Sequence, residues 1–146
     1  MNLSSSPLER YRDAALLCTR IGLGLFFMLV HGLPKLLGGP ELWERLGSSI
    51  SILGISGGYL YFGFLAAILE FLGGLFLITG FFFSYTALGM SLIMIVAMLS
   101  KFTTDGWFGA AHPSEVFLFL ITLAFVGPGK FSLDFLVKKA LHKKSA

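Results

Sequence analysis

Long apolar runs separated by short polar stretches dominate this chain. A hydrocarbon core of about 30 Å takes about 20 helical residues to cross. Four runs approach that length, and their pattern predicts spans over 14–33, 59–80, 86–102 and 114–126. Only Arg20 and His31 interrupt the first. Ahead of it, Ser6-Pro7-Leu8-Glu9 reads as a capping box with proline in the first turn, so the helix is expected to start near Pro7, in water. Gly32 and Pro34 are expected to end or kink it. The second span has Glu70 near its midpoint and Tyr59 and Tyr61 at one end, as an interfacial aromatic belt would.

Polar stretches complete the map. From 41 to 58, Trp43, Leu46, Ile50 and Leu53 recur at helical spacing with Ser and Gly opposite, which suits an interfacial helix or a re-entrant loop. Residues 81–85 read as a turn. The stretch 103–113, with Asp105, Gly106 and Trp107, reads as a loop. The span 114–126 reaches only about 20 Å, so either it begins earlier or Glu115 lies below the headgroups. Gly127-Pro128-Gly129 ends it, and Ser132 can cap a basic amphipathic helix over 132–144 that lies on the membrane surface and favours anionic lipid. The expected architecture is an all-α membrane protein of one domain: an antiparallel four-transmembrane-helix bundle with a C-terminal amphipathic surface helix.

Composition agrees. Hydrophobic residues make up 55% of the 146 and charged residues 13%, about half the soluble average. The first apolar run lacks a clear cleavage site and is long enough to span, so it reads as retained. Arg10, Arg12, Arg20, Lys130, Lys138, Lys139, Lys143 and Lys144 fall on the side bearing both termini, against Lys35, Arg45 and Lys101 on the other. Eight against three predicts cytoplasmic termini and an even number of spans. The net charge of +3 then reflects a lipid-facing surface, and nucleic acid is not an expected partner. Cys18 is the lone cysteine, which excludes an intramolecular disulfide and dithiol chemistry.

Charges in hydrocarbon need a partner or a wet cavity. Arg20 and Glu70 lie on neighbouring antiparallel spans, so they are expected to meet. Their pairing is read either as the core of a proton or ligand site centred on Glu70, or as a structural ion pair, with Arg20 snorkelling as a further possibility. His31 and Lys35 are four apart and share a face if the helix survives Pro34. His31, Lys35, Lys101, His112 and Glu115 are expected to converge at the mouth away from the termini, where His31 can donate to a quinone-type carbonyl or relay a proton and the lysines can hold an anion. The alternative for the lysines is snorkelling to headgroups. Glu70 and His31 are thus the candidate catalytic groups, and Arg20, His31, Lys35, Glu70, Lys101 and Glu115 the candidate ligand-binding set. His31 and His112 alone cannot supply a tetrahedral metal site, which carboxylates would have to complete; a bis-histidine haem would need both on facing helices, whereas His112 reads as a loop residue, and His142 lies in the tail. No dinucleotide fingerprint, phosphate loop or nucleophile elbow appears.

The stretch Arg20-Ile21-Gly22-Leu23-Gly24-Leu25-Phe26-Phe27, followed by His31-Gly32-Leu33-Pro34-Lys35-Leu36, resembles the first helix of DoxX-family proteins. Glu70-Phe71-Leu72-Gly73-Gly74, Glu115 after a Gly- and aromatic-containing loop, and Gly127-Pro128-Gly129-Lys130-Phe131-Ser132-Leu133-Asp134 continue the likeness, which covers roughly 20–134. One departure is Lys101, where the family often has histidine. The resemblance implies a four-helix inner-membrane protein. Its namesake relatives are linked to thiosulfate:quinone oxidoreductase and others to oxidative-stress complexes, while many members have no assigned activity.

Three functions follow as expectations. The first is a membrane subunit of a quinone-linked complex, with no covalent cofactor, quinone as ligand and a partner supplying the redox centre. The second is a non-catalytic scaffold, with a protein partner or a second copy. The third is a small proton-coupled transporter, ranked last because four-helix exporters carry their glutamate in the first span and show little basic bias.

Overall fold

The computed structural model describes residues 8–144, and every element among them is helical. Helix α1 runs Glu9–Leu37, α2 Gly39–Gly47, α3 Tyr59–Thr79, α4 Phe83–Val126 and α5 Leu133–Lys144. Three of these, α1, α3 and α4, are long and apolar enough to cross a membrane, with mean hydropathy of 1.8, 2.1 and 1.8. The protein is therefore an all-α, multi-pass membrane protein.

Helix α4 is 44 residues long, about 66 Å if straight, or twice a hydrocarbon core. It is not straight. Gly106 sits at φ 66°, ψ −155°, a conformation open essentially to glycine alone, and breaks the helix into arms 83–105 and 107–126. Phe83 and Ala87 from the first arm share one core with Leu120, Leu123 and Ala124 from the second, so the arms lie side by side. The expected loop over 103–113 is absent, and helix continues on both sides of a single residue. Each arm is thus longer than the spans read at 86–102 and 114–126, and the last reaches about 30 Å. Polar Thr103, Thr104 and Asp105 hid the continuity, because lone hydropathy cannot tell a helix end from a loop.

Helix α1 also runs further than expected. A wide π-helical stretch, Phe26–Gly32, closes with the Leu33 N–H donated to the Met28 carbonyl. The next donor would be Pro34, which has none, so the ring falls at the seam between two windings and the helix continues to Leu37. The cap expected at Ser6 and Pro7 lies outside the described residues. Past α1, the 41–58 stretch forms α2 and a 3₁₀ segment, Ser48–Leu53.

Glycines let the helix axes approach. A methyl group on Gly24 would lie 2.6 Å from the Gly74 carbonyl oxygen, and one on Gly32 would lie 2.5 Å from the Phe71 nitrogen, so α1 and α3 pack backbone on backbone. Gly63 sits in the same way against the carbonyl of Trp43, which seats α2 on α3.

Arg20 ties the terminus-bearing end together. It is 1% exposed and was expected to reach Glu70. Instead it donates to the carbonyls of Leu77 (3.0 Å), Ile78 (2.7 Å), Pro128 (2.8 Å) and Phe131 (2.9 Å). Leu77 and Ile78 close α3, where helical carbonyls lack intrahelical donors. The flat guanidinium satisfies them together with the Gly127–Ser132 turn. Glu70 lies about 10 Å further along α3, a full turn beyond what this anchored side chain can serve. Asp134 adds to the knot by accepting from the N–H groups of Phe82 and Phe83 at 2.9 Å each, and Ser132 caps α5 through the Phe135 N–H. Gly80 (φ 66°) has no room for a side chain, since a methyl there would meet the Arg20 guanidinium at 2.5 Å.

Four charge-assisted hydrogen bonds make Arg20 the most consequential side chain for stability. Arg20→Met is expected to cost at least about 3 kcal/mol and lower the unfolding midpoint in mild detergent by about 10 °C. Arg20→Lys should recover less than half, because one ammonium cannot span both carbonyl pairs. A midpoint unmoved in Arg20→Met would show that the knot holds without it.

Candidate functional site

The partner that Glu70 does find is Lys35. Glu70 sits midway along α3 with its side chain 3% exposed, and the Lys35 ammonium lies 2.6 and 2.5 Å from its two carboxylate oxygens. Lys35 is 27% exposed and belongs to the last turn of α1. That turn exists because the helix passes Pro34. Its position is fixed from the other side by Trp43 of α2, whose indole N–H donates to the Lys35 carbonyl at 2.7 Å. Trp43 in turn packs on Phe64 of α3 at 4.6 Å between ring centroids. Thus α1, α2 and α3 jointly hold one ion pair.

Beside the pair lies a cavity of about 460 Å³ between α3 and the first arm of α4, closed at one end by residues 46–50. That is within the usual range for small-molecule sites. Its lining is apolar except for Lys35, Ser49 and Glu70. Leu65, Leu69 and Leu92 on its wall are 50, 43 and 64% exposed, so the mouth faces sideways, toward lipid. Gly89 also lines it, and a methyl group there would meet nothing within 4 Å. Glycine weakens a helix interior by about 1 kcal/mol relative to alanine. Gly24, Gly32, Gly63 and Gly74 repay that with close helix contact, whereas Gly89 leaves space in the cavity instead.

The other candidates scatter. His31 lies half-buried one turn before Lys35, stacked on His112 of α4 at 5.9 Å between centroids and tilted against Phe27 at 5.7 Å. His112 is exposed and helical, not a loop residue. Lys101 pairs with Asp105 at 3.1 Å on an exposed face, and Glu115 is exposed with no ion pair among the described residues. Of the five groups expected to converge, only His31 and His112 touch, while Lys35 turns to Glu70. Lys101 and Glu115 stay outside because the uninterrupted arms of α4 turn them to the bundle exterior. Among the described residues no cluster of three or more His, Cys, Asp and Glu is placed to hold a metal. Trp43 and Gly89 escaped sequence reading. Trp43 looked like an interfacial aromatic, and nothing in a single sequence distinguishes a glycine facing a cavity from one facing a helix.

The model of the DoxX family matches residues 15–104, well over half of the 146. The chain belongs to the DoxX family. The matched stretch holds Arg20, His31, Lys35 and Glu70 and the whole cavity lining, while the Gly127–Asp134 turn that receives Arg20 lies beyond it. No curated protein and no solved structure matches the chain.

Removing one member of a buried ion pair strands the other and costs about 3–5 kcal/mol. Lys35→Met is expected to fall in that range and Lys35→Met/Glu70→Gln to recover most of it, as read from denaturation in mild detergent. If the single and double variants unfold alike, the pair carries no coupling and the site is not held together by it.

Proposed function

We propose that this DoxX-family protein is a quinone-binding subunit of a redox-linked complex in the plasma (inner) membrane. It crosses four times, with α1, α3 and the two arms of α4, and keeps both termini in the cytoplasm. The eight-to-three split of Lys and Arg supports that orientation.

One observation carries the ligand assignment: a lipid-facing apolar cavity with a single ion pair in its wall. A quinone is an apolar ring and chain with two carbonyl oxygens. The cavity suits the ring, and the sideways mouth suits a chain that remains in the bilayer. Lys35 has three N–H donors, two of which face the Glu70 oxygens, leaving one for a carbonyl. A bound quinone that accepts two electrons from a partner's redox centre also takes up two protons. Glu70 and Lys35 are the ionisable groups in the cavity wall, and His31 with exposed His112 offers a path to resupply them from the far surface.

Purified protein in nanodiscs is expected to retain or bind a ubiquinone or menaquinone analogue, quantified after solvent extraction. Gly89→Leu fills the cavity without touching the ion pair, so it should weaken binding at least tenfold while the unfolding midpoint holds or rises. Glu70→Gln should also weaken binding. A wild-type protein that binds neither quinone, or a Gly89→Leu variant with undiminished binding, would remove the quinone assignment.

A further inference from the structure

A second cavity, of about 360 Å³, lies at the terminus-bearing end, between the first turns of α1, the Gly127–Ser132 turn and the start of α5. Arg12, Lys130 and Lys138 line it, together with Asp13, Asp134, Leu16 and Phe135. Three cations outnumber the two carboxylates, and Asp134 also lies beside the charge of buried Arg20. Each oxygen of Asp134 accepts a backbone N–H, from Phe82 and from Phe83. Asp13 accepts the Lys130 N–H at 3.0 Å and sits 3.5 Å from the Lys130 ammonium. Arg12 and Lys138 have no ion-pair partner among the described residues, and both are exposed.

We propose that this pocket binds the phosphodiester headgroup of an anionic lipid. Arg12 of α1 and Lys138 of α5 take the phosphate oxygens, Arg12 by its planar fork and Lys138 as a point charge. Leu16 and Phe135 offer apolar contact to the glycerol and upper chain. The position agrees with a lipid rather than a free anion. The exposed side chains of α5 include Leu133 at 43%, Phe135 at 39% and Leu136 at 57%, a face that water does not favour and that the headgroup boundary does. A cation pair at that boundary lies where anionic headgroups are concentrated. The site is independent of the quinone cavity, which opens on the other half of the bundle.

The test uses the full-length protein in neutral detergent, with phosphatidylglycerol, phosphatidylcholine or inorganic phosphate added, and reads both the unfolding midpoint and lipid retained by native mass spectrometry. Phosphatidylglycerol is expected to raise the midpoint above phosphatidylcholine and to be retained. Arg12→Gln/Lys138→Gln should weaken its apparent affinity about tenfold or more. Lys139→Gln/Lys143→Gln, which removes the same charge from α5 outside the pocket, should keep the preference. Equal loss in both double variants would reduce the effect to diffuse attraction and overturn the pocket. No preference in the wild type would overturn it as well. Stabilisation by inorganic phosphate as large as by phosphatidylglycerol would overturn the lipid assignment.

Discussion

Hydrocarbon cannot hydrogen-bond, so each backbone group and each charge inside this bundle must find its partner within the protein. Arg20 is where that constraint acts hardest. A helix end leaves carbonyls without intrahelical donors, and α3 ends beside a turn whose own carbonyls are equally in need. One guanidinium serves both. Its charge is offset by four carbonyl dipoles in direct contact and by the Asp134 carboxylate nearby. Among the described residues no buried side-chain nitrogen or oxygen lacks a partner. The rest of the fold is arranged around that knot: glycines bring α1 against α3, and Asp134 fastens α5 to the turn before α4.

With Arg20 committed at one end of α1, Lys35 at the other end is left to neutralise Glu70. The two basic residues of one helix thus divide the work. The first closes the bundle in a purely structural way, and the second sits in the wall of a cavity with a spare donor. The wide turn between them, Phe26–Gly32, changes the winding of α1 between the two fixed points and carries His31. Such turns recur at functional sites in helices.

The all-helical, apolar character of the chain was legible because hydropathy alone sets it, and the tail helix because its basic and apolar residues alternate at helical spacing. The outer ends were not. Thr103, Thr104, Asp105 and Pro113 look like a loop by composition, yet each is compatible with helix once Gly106 supplies the reversal. The choice of partner for Glu70 was also out of reach. Arg20 and Lys35 were both on plausible faces, and only the carbonyls of 77, 78, 128 and 131, which no side-chain pattern reveals, decide between them. The residues of the DoxX likeness fall on both sides of that division: Arg20 and Gly127–Asp134 build the knot, while Lys35 and Glu70 flank the cavity.

The reversal at Gly106 has a consequence for the core as well. Phe83 and Ala87 meet Leu120, Leu123 and Ala124 only because the chain folds back there. A side chain that forbids this backbone conformation would hold the two halves of that cluster apart, so one residue without a side chain, itself outside the cluster, decides whether the cluster can form.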